Sequence, residues 1–237
     1  MNKELFNTIQ KEAKVLHEEI LEVCKLDAHI NEWYKGCQIY FSPIVEYPDV
    51  MFLGINPGQG FSKNDSEHKR VEKFEPLEMN EYLQHSYTLA DSWKRIFRDD
   101  LNKDAALINS FKTNMFFWAT KGETELNKFL GALNRYNDKL GDRCVFQARK
   151  WIKTMITELS PGVLIVEGKS ALDNLIKCFT NNELEMFDYD VKHRGYLKIN
   201  EGEGCYIYCV ERIYSNLKNE DGVVEFLQEM IEEGAIK

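Results

Sequence analysis

Two asparagines and a serine stand where apolar runs of this chain give way to polar turns. Asn56 follows the run VMFL at 50–53 in the stretch DVMFLGINPGQGF, where Pro57 and Gly58 end any regular structure at once. Asn114 closes INSFKTN, and Ser215 lies in CVERIYSN beyond another apolar run. A side-chain amide holds a donor and an acceptor side by side, so it can read a ligand edge at two points or orient a water, although it is no strong base. A fourth segment, VLIVEGKSAL, sets Gly168 at a tight turn ahead of a helix whose first backbone N–H groups can hold an anion. Each feature also has a plain reading: Asn-Pro-Gly is ordinary turn chemistry, and a strand-end Asn caps local backbone. What would gather them is an open parallel sheet, because ligands bind outside the carboxyl ends of its strands.

The intervening pattern predicts such a sheet. Leu5, Ile9, Ala13, Leu16, Ile20 and Val23 recur at steps of three and four, which predicts an amphipathic helix over 1–24, and a short helix follows over 27–34. CQIYF and VMFLG read as strands around a Pro-containing turn. Residues 59–89 are polar and without period, the mark of a functional or mobile loop. DSWKRIFRDDL reads as a helix capped by Asp91 or Ser92, and AALINSFKTNMFFWAT as an extended segment. CVFQARKWIKTMITELSPG is a long helix with Val145, Ala148, Trp151, Ile152, Met155 and Leu159 on one side, stopped by Pro161 and Gly162. A strand, a Gly turn and a helix follow; GCYIYCVERIYSN is a strand running into a polar turn, and DGVVEFLQEMIEEGA is the closing helix. Strands alternating with helices imply an α/β fold with a parallel sheet covered on both faces. Without repeats or linkers, the chain reads as one domain over 1–237 with an N-terminal helical extension over about 1–36.

Composition narrows the partners. The 237 residues are 43% hydrophobic and 12% aromatic, with no apolar run of membrane-spanning length and a charged, helical N-terminus in place of a signal peptide, so the expected location is the cytoplasm. Thirty Lys and Arg against 39 Asp and Glu give a formal charge of -9, which argues against a long grip on duplex DNA but leaves room for a local basic patch. The six cysteines are dispersed, and their only close pair is spaced C-x3-C; buried reduced thiols are expected, with no metal and no cofactor.

Taken in order, three stretches resemble the uracil-DNA glycosylase superfamily. GINPG, formed by Gly54, Ile55, Asn56, Pro57 and Gly58, is similar to the first active-site motif of its mismatch-specific and single-strand-selective branches. INSFKTN resembles the strand whose Asn reads the flipped base, and ELSPGVLIVEGKSAL resembles the family's helix, strand and glycine turn. The resemblance implies a three-layer α/β/α sandwich with a central, mainly parallel sheet. It implies hydrolysis of the N-glycosidic bond of uracil or another deaminated base in DNA, single- or double-stranded, by a monomer that flips the base into a pocket. Asn56 and Ser215 then take catalytic parts, Phe61 stacks on the base, and Asn114 meets the O4 acceptor and N3–H donor of uracil. Lys169, Ser170, Arg212, Asn216 and Lys218 would hold phosphates at the mouth. His193 and Arg194 make a further basic spot, expected on the surface. The departure is in the second motif, where Ile213 and Tyr214 stand in place of the family's His or Asn and its Pro, leaving Ser215 as the match. Ile213 has no donor for the departing base, so the same pocket also fits a catalytically silent member that binds a nucleic acid, a nucleotide or a protein.

Overall fold

The structure, a computed structural model, describes residues 3–58, 70–180, 182–189, 192–200, 203–213 and 216–237. The chain opens with α1 (Lys3–Leu26) and α2 (Ala28–Trp33), the latter started by the Asp27 carboxylate, which accepts from the backbone N–H groups of His29 and Ile30. Next come β1 (Gly36–Gln38), β2 (Val50–Gly54), β3 (Val71–Lys73), α3 (Glu81–Gln84), α4 (Thr88–Arg95), α5 (Asp104–Ile108), β4 (Phe111–Asn114) and β5 (Trp118–Ala119). They are followed by α6 (Glu123–Leu133), α7 (Leu140–Leu159), β6 (Val163–Glu167), α8 (Lys169–Ile176) and β7 (Leu184–Tyr189). β8 (Lys192–Asn200), β9 (Glu203–Val210), β10 (Arg212–Ile213), β11 (Asn216–Leu217) and α9 (Glu220–Glu232) complete the chain.

The fold is mixed α/β with a mostly parallel main sheet in the order β4-β2-β6-β9-β8-β7. β4, β2, β6 and β9 run parallel, and β8 and β7 return antiparallel at one edge. Every residue of β2 and β6 is buried, as strands covered on both faces require. Alternation along each strand divides the core in two. Met51, Leu53, Phe111, Leu164, Val166 and Ile207 pack with α1, α6, α7 and α8, whereas Val50, Phe52, Val163, Ile165, Tyr208 and Val210 pack with α3, α4, α5 and α9. The apolar stripe of α1 lies in the first of these cores, and Tyr40 donates its hydroxyl to the Phe6 carbonyl at 3.4 Å.

Several local expectations are corrected. CQIYF stays out of the main sheet: β1 forms a separate sheet with β3 and β5, and Tyr40 makes a lone bridge to Thr113. Within 59–89, residues 59–69 lie outside the described residues, but the remainder holds β3, α3 and the start of α4. The helix through DSWKRIFRDDL begins earlier, at Thr88, so Asp91 and Ser92 are interior; it then widens into a π-helical turn over Ile96–Asp100. AALINSFKTNMFFWAT is not extended throughout, because α5 precedes β4. α7 ends as expected, with Ser160 in the left-handed region at φ 45° just before Pro161.

Candidate functional site

Register brings three strand ends to one level. Gly54 pairs with Asn114 across β2 and β4, and Leu53 pairs with Val166, so Glu167 follows beside Gly54. One layer deeper, Phe52 pairs with Lys112 and with Ile165. Gly54, Asn114, Glu167, Phe52, Lys112 and Ile165 fall on the face covered by α3 and α4, and Leu53 and Val166 on the other, since successive side chains alternate. A Cβ at position 54 would overlap Asn114 Oδ1 and stand 3.5 Å from Glu167 Oε2, so glycine is what admits both polar groups to the same place.

Glu167 is the sole buried carboxylate among the described residues, 2% exposed. Its Oε1 accepts from the Tyr82 hydroxyl and from Trp93 Nε1, the latter at 3.2 Å, while Oε2 lies 3.7 Å from Lys112 Nζ. Lys112 is itself buried: Nζ sits 2.9 Å from Glu81 Oε1 and 3.6 Å over the centre of the Tyr82 ring. Glu81 also accepts from the Tyr87 hydroxyl at 2.9 Å. The short α3 is aimed by Asn80, whose Oδ1 accepts from Tyr82 N at 2.9 Å and whose Nδ2 donates to Ser110 Oγ at 2.8 Å.

Burial pushes the Glu167 carboxyl up, but Lys112, Arg212 and the donors Tyr82 and Trp93 outweigh it and hold the group below its ordinary value. It is therefore a carboxylate at neutral pH. Burial, with Glu167 next to it, drives the Tyr82 hydroxyl well up, so that partner remains a neutral donor. Arg212, half-buried in the β10–β11 hairpin, is felt electrostatically by both Glu167 and Tyr87. Its charge therefore acts on the strand-end layer and on Tyr87 beside it.

The first-motif turn is tied down beside this layer. Met115 N donates to Gly54 O at 2.8 Å and Phe116 N to Ile55 O at 2.9 Å, which keeps the exits of β2 and β4 together. Asn56 Nδ2 donates to Pro57 O and to Thr120 Oγ1, both at 3.0 Å, with Trp118 O at 3.5 Å. Asn56 and Pro57 are buried, Ile55 is half-buried and Gly58 is exposed. Asn114 is 6% exposed, and its amide makes no hydrogen bond to another described residue. An amide with its donor and acceptor uncommitted to other described residues thus lies next to the turn.

The expected phosphate ligands are more scattered. Lys169 is exposed and pairs with Asp173 at 2.8 Å, and Ser170 donates to Glu123. Gly168, at φ 104°, gives its N–H to Val210 O at 3.1 Å. Asn216 and Lys218 are exposed. Phe61, Tyr214 and Ser215 lie outside the described residues, and of Ile213 only the backbone, paired with Asn216, is described. Arg194 is not a free basic spot: it pairs with Glu229 at 2.8 Å and lies over the rings of Tyr208 and Phe226.

Sequence reading passed over Glu167 and Lys112. Their signal was present: one acid at the end of VLIVE, and one lysine inside the buried FKTN. Two concavities of the described surface lie elsewhere, a groove of about 540 Å³ between α7 and the end of α8 and another of about 310 Å³ beside Arg95 and the start of α9. Among the described residues no helix is long and apolar enough to cross a membrane. Five of the cysteines are buried and Cys178 is half-buried, all with free thiols. A scan against protein-family models and a search of curated proteins find no match to this chain.

Proposed function

We propose that this is a base-flipping N-glycosylase of the uracil-DNA glycosylase type, built as a three-layer α/β/α sandwich, which takes uracil or another deaminated base from DNA into the strand-end layer and hydrolyses its N-glycosidic bond. The observation that carries the reading is Asn114: a buried amide without a hydrogen-bond partner among the described residues, in register with the glycine that opens the GINPG turn. The residual exposure of Asn114 keeps its amide in contact with solvent, and a base edge offering one acceptor and one N–H donor would take the place of water there. Two cores on opposite faces of a mainly parallel sheet support the sandwich.

In this reading Asn114 orients the base, and Gly54 lets the base approach the backbone. Bond breaking builds positive charge on the sugar and negative charge on the departing base. Asn56 offers a neutral acceptor to water, its donors being engaged by Pro57 and Thr120. The anionic Glu167 lies near the developing positive charge, and Arg212 opposes the charge on the leaving base, a part that the Ile213 side chain has no group to play.

The engaged donors of Asn56 and the missing second-motif donor favour a second reading, a silent member that binds a base or nucleotide in the same layer. Single- and double-stranded oligonucleotides carrying uracil, hypoxanthine or xanthine, treated with the protein and then with alkali, separate the two. Strand breaks at one base, abolished in Asn114→Ala, establish the enzyme; intact strands under all conditions refute it.

A further inference from the structure

A second cationic feature lies one helix away from the strand ends and was not singled out in the sequence. On α7, Asp142, Val145, Phe146, Arg149, Lys150 and Lys153 follow one another at steps of three and one, which places them on a single stripe of the helix beside its buried face. Lys177 and Cys178, at the end of α8, close the other wall of the groove of about 540 Å³. Four cations therefore face one concavity on a chain whose formal charge is -9.

Their partners leave much of that charge unspent. Arg149 donates to the neutral Asn174 side chain at 2.8 Å, and its Nε is buried without a hydrogen-bond partner. Lys153 shares its charge with Glu183 at 2.7 Å. Lys150 and Lys177 are exposed and make no ion pair among the described residues. Asp142, the one acid in the lining, already accepts from Asn134 at 2.7 Å. In the middle of the stripe Phe146 is 71% exposed. A large aromatic left in water within a basic groove has no part in the core, and its flat face suits a nucleobase.

We propose that the groove between α7 and α8 binds single-stranded nucleic acid, with phosphates on Arg149, Lys150, Lys153 and Lys177 and a base stacked on Phe146. An acidic peptide would satisfy the cations but gains nothing from the ring, whose face is electronegative and repels carboxylates. Arg149 and Lys153 stand just over one helical turn apart, roughly 6 Å along the axis, so one strand can meet both in succession. The inference does not rest on the glycosylase reading, because it concerns unmodified strands and a surface that excludes Asn114.

The test is fluorescence anisotropy of a short labelled deoxycytidine oligomer titrated with the whole protein over a range of salt. Expected is a log–log salt slope of about -3, from four phosphates at about -0.7 each. The double variant Lys150→Glu, Lys177→Glu should weaken binding at least tenfold, and Phe146→Ala about tenfold, with unchanged circular dichroism. Binding that survives both groove variants, an absence of binding at the lowest salt, or equal competition by polyglutamate would each overturn the proposal. Groove binding without any base excision would leave it standing while removing the glycosylase reading.

Discussion

Lys112 and Lys169 each pair with a carboxylate, and the two pairs have little else in common. The Lys112 side chain is 5% exposed, wedged between Glu81, Glu167 and the Tyr82 ring, whereas that of Lys169 is 70% exposed and reaches Asp173 one turn along its own helix. The first pair has left water and depends on every partner around it; the second can exchange its carboxylate for solvent at little cost. Charge at the strand ends is thus fixed in position, and charge at the rim is replaceable. Fixed, dehydrated charge is what a site needs to act on a reacting bond, while a rim needs only attraction.

The largest effect should come from halving the buried pair. Glu167→Ala leaves Lys112 with Glu81 alone and strips the acceptor from Tyr82 and Trp93, so unfolding in urea should show a loss of about 3–5 kcal/mol. A loss below about 1 kcal/mol would mean that Glu81 suffices and that the two pairs are alike after all. Next comes Gly54→Ala, whose added methyl overlaps Asn114 Oδ1 and should cost about 1–3 kcal/mol. If its midpoint matches the parent's, the close packing of the layer is wrong.

Acid should separate the pairs as well. Because the Glu167 carboxyl is held below its ordinary value in the folded state, the unfolded chain binds more protons as the solution is acidified. Its stabilisation is therefore complete above the ordinary carboxylate pKa of about 4.3 and is lost as pH falls through the folded value. Urea midpoints measured from pH 6 to pH 2 should fall less steeply for Glu167→Gln than for the parent. Parallel curves would show that Glu167 is not held as an anion. The smallest effect is at the rim: Lys169→Ala should leave the midpoint within error, and a clear drop would place that pair among the structural ones.

How far the sequence disclosed this arrangement depends on the range of the interactions. Local periodicity carried α1 and α7, and continuous apolar runs carried β2, β6 and β9. Leu126, Phe129, Leu130 and Leu133 have the same helical spacing, and α6 was readable though unread. α3 was hidden, since four residues hold no period and its stability comes from the Asn80 cap and from Tyr82 buried against the sheet. The register of Gly54 with Asn114 and Glu167 is a product of strand pairing between distant segments, which no local pattern states. For the same reason the buried pair of Glu167 and Lys112 was not legible: a lone acid ending VLIVE looks like an ordinary strand terminus until Lys112 and Tyr82 are brought to it.

The central claim, that the Asn114 amide is the uncommitted reader of a base, is tested most directly by the side-chain amide resonances of Asn114 in a uniformly 15N-labelled protein, assigned by their loss in Asn114→Ala. Titration with uracil or 2'-deoxyuridine should move both of its proton resonances in a saturable way, because one N–H gains an acceptor and the adjoining oxygen gains a donor. The same ligands should bind Asn114→Ala more weakly, with the backbone resonances of Gly54 no longer responding. Asn114 amide resonances that stay still while the protein binds the ligand, or show no response to uracil, hypoxanthine and xanthine alike, would contradict the account and return Asn114 to the role of a strand-end amide that reads nothing.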